Sequence, residues 1–148
     1  MEIWTILSFA SRCTKKKVRY KSMPRFEIID GRCVIPKGVT EILDEEFSDC
    51  RELKEIVIPD TVVSIGFAAF FWCTSLKDVY ISESVKTIGP QAFEGCAKLR
   101  SVNIPDGVKE IKSGTFSNCY ALESVILPSS VTKLGDGVFE KCYKLRDM

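Results

Sequence analysis

Apolar residues recur along this chain at a fixed step of 23. Phenylalanine stands at Phe47, Phe70, Phe93, Phe116 and Phe139, and cysteine follows three residues later at Cys50, Cys73, Cys96, Cys119 and Cys142. A leucine column runs through Leu53, Leu76, Leu99, Leu122 and Leu145. Behind it come Ile56, Val79, Val102 and Val125, then Ile58, Ile81, Ile104 and Leu127. Each unit closes with Val62, Val85, Val108 and Val131 and with Ile65, Ile88, Ile111 and Leu134. Within a unit, Ile56-Val57-Ile58 alternates with the period of a strand, its outer residues pointing inward and its middle one outward. Proline follows at Pro36, Pro59, Pro105 and Pro128, with Ser82 in one unit; lacking an N–H, it ends the strand. A second extended piece is expected at Val62 to Ile65. Gly66, Gly89 and Gly135 are read as conformational corners, with Lys112 in one coil, and the Ala-Phe-x-x-Cys stretch as one helical turn.

Seven apolar columns in register over four turns describe a chain whose coils cannot bury their own edges and must stack. A period of roughly 20–29 residues marks a leucine-rich-repeat solenoid. The expected fold is a right-handed solenoid of about five 23-residue coils, with short strands and one helical turn per coil. Residues 26–46 form an N-terminal hairpin cap and half coil, 47–138 four full repeats, and 139–148 an incomplete one. Phe26 to Ile35 reads as two strands joined at Asp30-Gly31, a dipeptide suited to a tight hairpin, with Cys33, Ile35 and Pro36 in register with Ile56, Ile58 and Pro59. This hairpin would cover the first coil. The last coil is expected to pair with further repeats or with a second copy. Residues 1–25 lie outside the period and read as a basic arm, poorly ordered or docked, with Ile3, Leu7 and Ala10 at helical spacing.

The pattern F-x-x-C-x-x-L-x-x-V-x-I-P-x-x-V-x-x-I-G-x-x-A resembles the BspA-type leucine-rich repeats of bacterial and protist surface proteins. Phe93 to Ala97, Leu99, Val102, Ile104-Pro105 and Val108 match one unit, and Val131, Leu134-Gly135 and Phe139 match its continuation. The resemblance covers residues 33–148. It implies a non-enzymatic protein-binding module at the cell surface, engaged in adhesion or recognition, without catalytic residues to carry over. The chain shows neither the export signal nor the anchoring segment usual in that setting, so a cytoplasmic location stays open.

Composition narrows the chemistry. The chain has 148 residues, no histidine, and a net charge of +1. That balance hides an arm with seven Lys/Arg against one acid and a body with 14 against 19. Opposite signs suggest that the arm docks on the body or seeks an acidic surface. Without histidine, the commonest general base and metal ligand is missing; no cofactor, metal or catalytic residue is expected. The run Asp44-Glu45-Glu46 reads as a helix start, and Cys13, beside Arg12 and Lys15, is the one candidate nucleophile. Parallel cysteines one coil apart are expected to pack as thiols, not to form a disulfide ladder. No stretch approaches the roughly 18 apolar residues of a membrane span.

Two surfaces remain. Phe71 stands where other units have Ser48, Glu94, Ser117 and Glu140; Trp72 stands where they have Asp49, Gly95, Asn118 and Lys141. Phe67 replaces Asp44, Pro90, Ser113 and Asp136, four residues before Phe71 on the same side of the expected helical turn. This aromatic cluster reads either as a partner site or as a patch covered from within by Trp4, Ile6, Leu7 and Phe9 of the arm. The second surface is the outward strand column Val34, Val57, Tyr80, Asn103 and Ile126. It reads as a partner-binding sheet face or as ordinary cross-strand packing. Three functions follow: a protein-binding module, a structural spacer in a longer array, and a binder of nucleic acid or acidic membrane through residues 12–25. The last is the weakest, since only Tyr20 and Phe26 interleave with the basic residues.

Overall fold

The computed structural model describes residues 25–146, and in it each apolar column becomes a line of buried side chains along the axis of a solenoid. Eleven short strands build the coils: β1 (Ile28–Ile29), β2 (Arg32–Val34), β3 (Glu41–Ile42), β4 (Glu55–Val57), β5 (Ser64–Ile65), β6 (Asp78–Tyr80), β7 (Thr87–Ile88), β8 (Ser101–Asn103), β9 (Glu110–Ile111), β10 (Ser124–Ile126) and β11 (Lys133–Leu134). Strands one coil apart pair in parallel with the period as their register: Cys33 lies beside Ile56, Ile56 beside Val79, and Val102 beside Val125. The hairpin forms at the start. β1 runs antiparallel to β2, and Asp30 and Gly31 both have positive φ, 52° and 89°, as a type I′ turn requires.

The phenylalanines stack into one column. Phe47, Phe70, Phe93 and Phe116 are buried, with adjacent ring centroids 5.0–5.6 Å apart and planes within 7°. That spacing falls within the favourable range for offset rings. Phe26 closes one end at 6.0 Å from Phe47, and Phe139, half-buried, continues the other at 5.9 Å.

The expected helical turn around each phenylalanine does not exist. The segment is a pair of β-turns, closed by bonds from the Thr115 N–H to the Lys112 carbonyl and from the Cys119 N–H to the Phe116 carbonyl. In every coil the third residue of both turns has positive φ. In the first turn these are Glu45, Ala68, Gln91, Gly114 and Gly137; in the second, Asp49, Trp72, Gly95, Asn118 and Lys141. Positive φ at that position is the mark of a type II turn and excludes a right-handed helix. The cause lies in the stacking. Phe47 and Asp49 donate their N–H groups to Ala69 and Phe71 of the next coil, while Cys50, at the end of the second turn, donates to Phe47. A helix would turn all these donors inward along the chain and leave the neighbouring coil's carbonyls unpaired.

The cysteine column has a related function. Sγ–H of Cys73, Cys96, Cys119 and Cys142 donates to the carbonyl of Phe47, Phe70, Phe93 and Phe116 at 3.0, 3.3, 3.2 and 3.1 Å. Each of those carbonyls also accepts the N–H of the cysteine in its own coil. A buried carbonyl with both lone pairs occupied is well satisfied, and a small apolar side chain with a weak donor suits the site. Cys33, Cys96, Cys119 and Cys142 are free thiols, so the column is no disulfide ladder, although Cys50 is disulfide-bonded.

The glycine corners are required for a different reason than the one expected. Gly66, Gly89 and Gly135 do not adopt positive φ. A Cβ at Gly89 would lie 2.5 Å from the Gly66 carbonyl carbon and oxygen, and one at Gly135 2.4 Å from the Ser113 nitrogen. Glycine permits successive backbones to touch. Lys112 occupies this position in one coil, and there the pairing fails. The counterparts of the bonds from the Gly66 N–H to the Ile42 carbonyl and from the Gly135 N–H to the Ile111 carbonyl are missing at Lys112. β7 does not pair with β9, nor β6 with β8, and each sheet divides there. On the turn side the ladder stays closed, with Phe70 N–H donating to Ala92 at 2.7 Å and Phe70 stacked on Phe93 at 5.0 Å. The seam is a wedge open towards the strands.

Lys112→Gly should therefore close the seam. Each regained backbone bond contributes about 0.5–1.5 kcal/mol, against about 0.5–1 kcal/mol for the added glycine, so the midpoint of thermal unfolding should rise and amide exchange at Arg100 and Lys109 should slow. The opposite change, Gly89→Ala, should cost about 1–3 kcal/mol through overpacking. Unchanged exchange in Lys112→Gly would show that the lysine does not cause the break.

Candidate functional site

The outward strand column is the more continuous of the two surfaces. β2, β4 and β6 set Val34 beside Val57 and Val57 beside Tyr80, and β8 and β10 set Asn103 beside Ile126. Val34, Tyr80 and Ile126 are 60–65 % exposed and Val57 is half-buried. The inward neighbours Cys33, Ile56, Val102 and Val125 are at most 2 % exposed, while Val79, beside the seam, is half-buried; in front of them runs a line of apolar side chains that nothing in the described chain covers. The seam crosses this line between Tyr80 and Asn103. Charge lies to one side, where Arg32 sits 3.7 Å from Glu55.

The aromatic cluster divides. Phe71 and Trp72 meet edge to face, centroids 6.3 Å apart at 76°, and both are half-buried. Phe67 makes no ring contact with either; it lies at the corner after β5, where its N–H donates to Asp44 Oδ1 at 2.7 Å. The expected grouping rested on a helical turn, and with two β-turns in its place a spacing of four no longer puts the side chains on one face. Phe67 instead lines a shallow groove of about 610 Å³ with Glu41, Leu43, Asp44, Pro90 and Lys112, floored by Gly66 and Gly89. Trp72 lies on Gly95 of the next coil, where a Cβ would come within 2.7 Å of the indole. The sequence carried that signal: glycine takes over the tryptophan's column one coil later.

A third feature escaped the sequence reading. Tyr120 and Tyr143, one coil apart, stack at 5.9 Å and 8°, with 38 % and 76 % exposure. Two tyrosines in one column with Arg51, Thr74 and Ala97 could have shown it. Cys13 and the arm residues Trp4, Ile6, Leu7 and Phe9 lie outside the described residues.

A model of the BspA-type leucine-rich repeat region matches residues 31–146 in six copies. The chain belongs to the BspA-type leucine-rich repeat family. Among solved structures, the BspA-type chain is similar to a leucine-rich cell surface protein from Faecalibacterium prausnitzii, with 33 % identity and a TM-score of 0.78 over 82 % of this chain and 36 % of that one. A leucine-rich repeat protein from Eubacterium ventriosum gives 28 % and 0.76 over 82 % and 32 %; one from Bacteroides ovatus gives 29 % and 0.64 over 78 % and 36 %. The chain thus spans about a third of the length of these relatives. No functionally curated protein matches it.

The thiols are unlike activated nucleophiles. Burial pushes Cys33 up to about 12 and raises Cys96, Cys119 and Cys142 as well, the reverse of what a reactive cysteine needs. Among the described residues no three His, Cys, Asp or Glu side chains are grouped to hold a metal, and no helix is long and apolar enough to cross a membrane.

Two measurements follow. Unfolded thiols ionise near 8.5 while the folded ones hold their protons, so the native state binds more protons and stability falls as pH rises from about 8.5 towards 12. The slope approaches about 1.4 kcal/mol per pH unit for each protected thiol. Urea midpoints should show it, with a shallower slope in a Cys96→Ala/Cys119→Ala chain; an equal slope would assign the effect to other groups. Gly95→Ala should lift the Trp72 ring and shift its emission to the red, read in a Trp4→Phe background.

Proposed function

We propose that this chain is a non-enzymatic protein-recognition module that acts at a cell surface, in adhesion or partner recognition, through its outward strand face. The carrying observation is the row Val34, Val57, Tyr80 and Ile126, apolar and outward-facing in front of strands whose inward residues are buried except for half-buried Val79 at the seam. Aligned exposed apolar side chains add little to folding, whereas they supply contact area to a partner. That the F. prausnitzii relative is a cell surface protein supports the location. Asn103 places a polar group in the same row. Phe71 and Trp72 form a second, smaller contact at the turn edge.

A second reading is a spacer within a longer array, favoured by the 32–36 % of its structural relatives that the chain spans. Partly exposed Phe139, Cys142 and Leu145, whose counterparts Phe116, Cys119 and Leu122 are fully buried, would suit stacking with a further coil or a second copy. Nucleic acid is the weakest partner, since only Tyr20 and Phe26 interleave with the basic residues.

The test is a panel of extracellular-matrix and epithelial surface proteins read by biolayer interferometry. A true partner should bind the wild-type chain and lose at least about tenfold in affinity, roughly 1.4 kcal/mol, with Tyr80→Ser/Ile126→Ser, whose melting stays unchanged. Binding that survives this pair and fails with Phe71→Ser/Trp72→Ala would move the site to the turn edge. No binding across the panel supports the spacer.

A further inference from the structure

The repeat supplies its own control for what the seam leaves open. In three coils two successive N–H groups converge on one carbonyl of the coil before. Lys54 and Glu55 meet the Gly31 carbonyl at 2.7 and 3.1 Å, Lys77 and Asp78 meet that of Lys54 at 2.8 and 3.4 Å, and Glu123 and Ser124 meet that of Arg100 at 2.8 and 3.4 Å. At the seam the equivalent pair is Arg100 and Ser101, and the equivalent carbonyl is that of Lys77. Neither N–H reaches it, and among the described residues neither finds another acceptor.

The gap runs the width of the strand. Ile58 donates to Tyr80 at 3.2 Å and Ile104 to Ile126 at 3.0 Å, whereas Ile81 makes no such bond to Asn103. Between these ends Val79 is half-buried, although its counterparts Ile56, Val102 and Val125 are at most 2 % exposed. The Arg100 and Ser101 donors therefore line a notch that is open from the strand side.

The charges around the notch decide what two convergent donors can hold. Its lips are formed by Lys77 and Arg100 themselves, and both residues are exposed. Ser101, also exposed, adds a hydroxyl as a third donor. Against them stand the Asp78 carboxylate and the Lys77 carbonyl, and two cations with three donors outweigh one carboxylate and one neutral acceptor. Successive backbone N–H groups beside cations favour an oxyanion, because each bond to it is charge-assisted. The notch also interrupts the outward row between Tyr80, 62 % exposed, and Asn103, so an anion seated there brings its neighbours against the Tyr80 ring.

We propose that the seam is a carboxylate-binding site for an acidic segment of a protein partner. One carboxylate oxygen accepts the Arg100 and Ser101 N–H groups in place of the Lys77 carbonyl, and the other faces the Lys77 ammonium and the Arg100 guanidinium. The other coils offer no such site, since their donor pairs are already bonded to carbonyls. The proposal rests on the strand-face reading for the source of the carboxylate, and not for the site itself.

The test uses the full chain, labelled with nitrogen-15 and titrated with sodium acetate at an ionic strength held constant with chloride. The amide protons of Arg100 and Ser101 should move downfield and saturate, while those of Lys77, Asp78, Glu123 and Ser124 stay in place. A tetraglutamate peptide should move the same two amides. Its affinity should fall at least about tenfold, the worth of one charge-assisted bond, in Lys77→Gln/Arg100→Gln, and also in Lys112→Gly, where the Lys77 carbonyl regains both donors. Arg100 and Ser101 amides that respond to neither probe, or no more than Glu123 and Ser124, would overturn the site and leave the strand-face reading untouched. A response to acetate without one to tetraglutamate would overturn the protein segment as source, and tighter binding of inorganic phosphate than of tetraglutamate would overturn the carboxylate. Affinity undiminished in both variants would place the anion elsewhere on the molecule.

Discussion

The solenoid depends on how closely the backbones of successive coils approach at one corner. Where glycine stands, the corner N–H reaches the carbonyl a coil below, and the strands on either side fall into register. Where Lys112 stands, one Cβ keeps the backbones apart and both sheets divide. The apolar columns can be satisfied across a range of spacings, as the ring separations of 5.0–5.9 Å along the phenylalanine stack show. The hydrogen-bond ladder has no such tolerance, because a bond stretched by half an ångström is largely lost. Hydrophobic burial thus assembles the coils, and the corner decides whether they bond.

Much of this was legible. A 23-residue period with seven apolar columns specifies a stacked solenoid, and the Asp30-Gly31 pair specifies the hairpin that opens it. The segment around each phenylalanine was misread because a three-residue step from Phe to Cys fits a helical turn and a β-turn equally well. The deciding signal was elsewhere, in the column holding Asp49, Gly95 and Asn118 and in Gly114 and Gly137 of its companion. These residue types tolerate positive φ, and they hold the third position in five of the ten turns. Glu45, Ala68, Trp72, Gln91 and Lys141 hide the rule because they adopt that conformation under the constraint of their neighbours. Likewise the glycine corner was visible as a column, while its reason, contact between coils, belongs to the stacked structure alone.

The surface was less legible, and for a physical cause. Core positions are over-determined, since every coil must present a matching side chain to the next, whereas outward positions answer to partners that leave no trace in the repeat. The period still acts as a ruler. Phe67, Phe71 and Trp72 stood out as departures from their columns, although the structure parts Phe67 from the other two. Tyr120 and Tyr143 belong to a column with no rule of its own, Arg51, Thr74 and Ala97 filling its other places, so neither stands out as a departure.

The wedge between Tyr80 and Asn103 has a mechanical meaning. A tensile load along the axis finds the strand ladders continuous everywhere except there, while the turn side remains joined by backbone bonds and by the stack of Phe70 on Phe93. Such a molecule does not stretch uniformly. It opens like a book, with the phenylalanine stack as spine, and the angle between its two halves yields before either half gives up a strand.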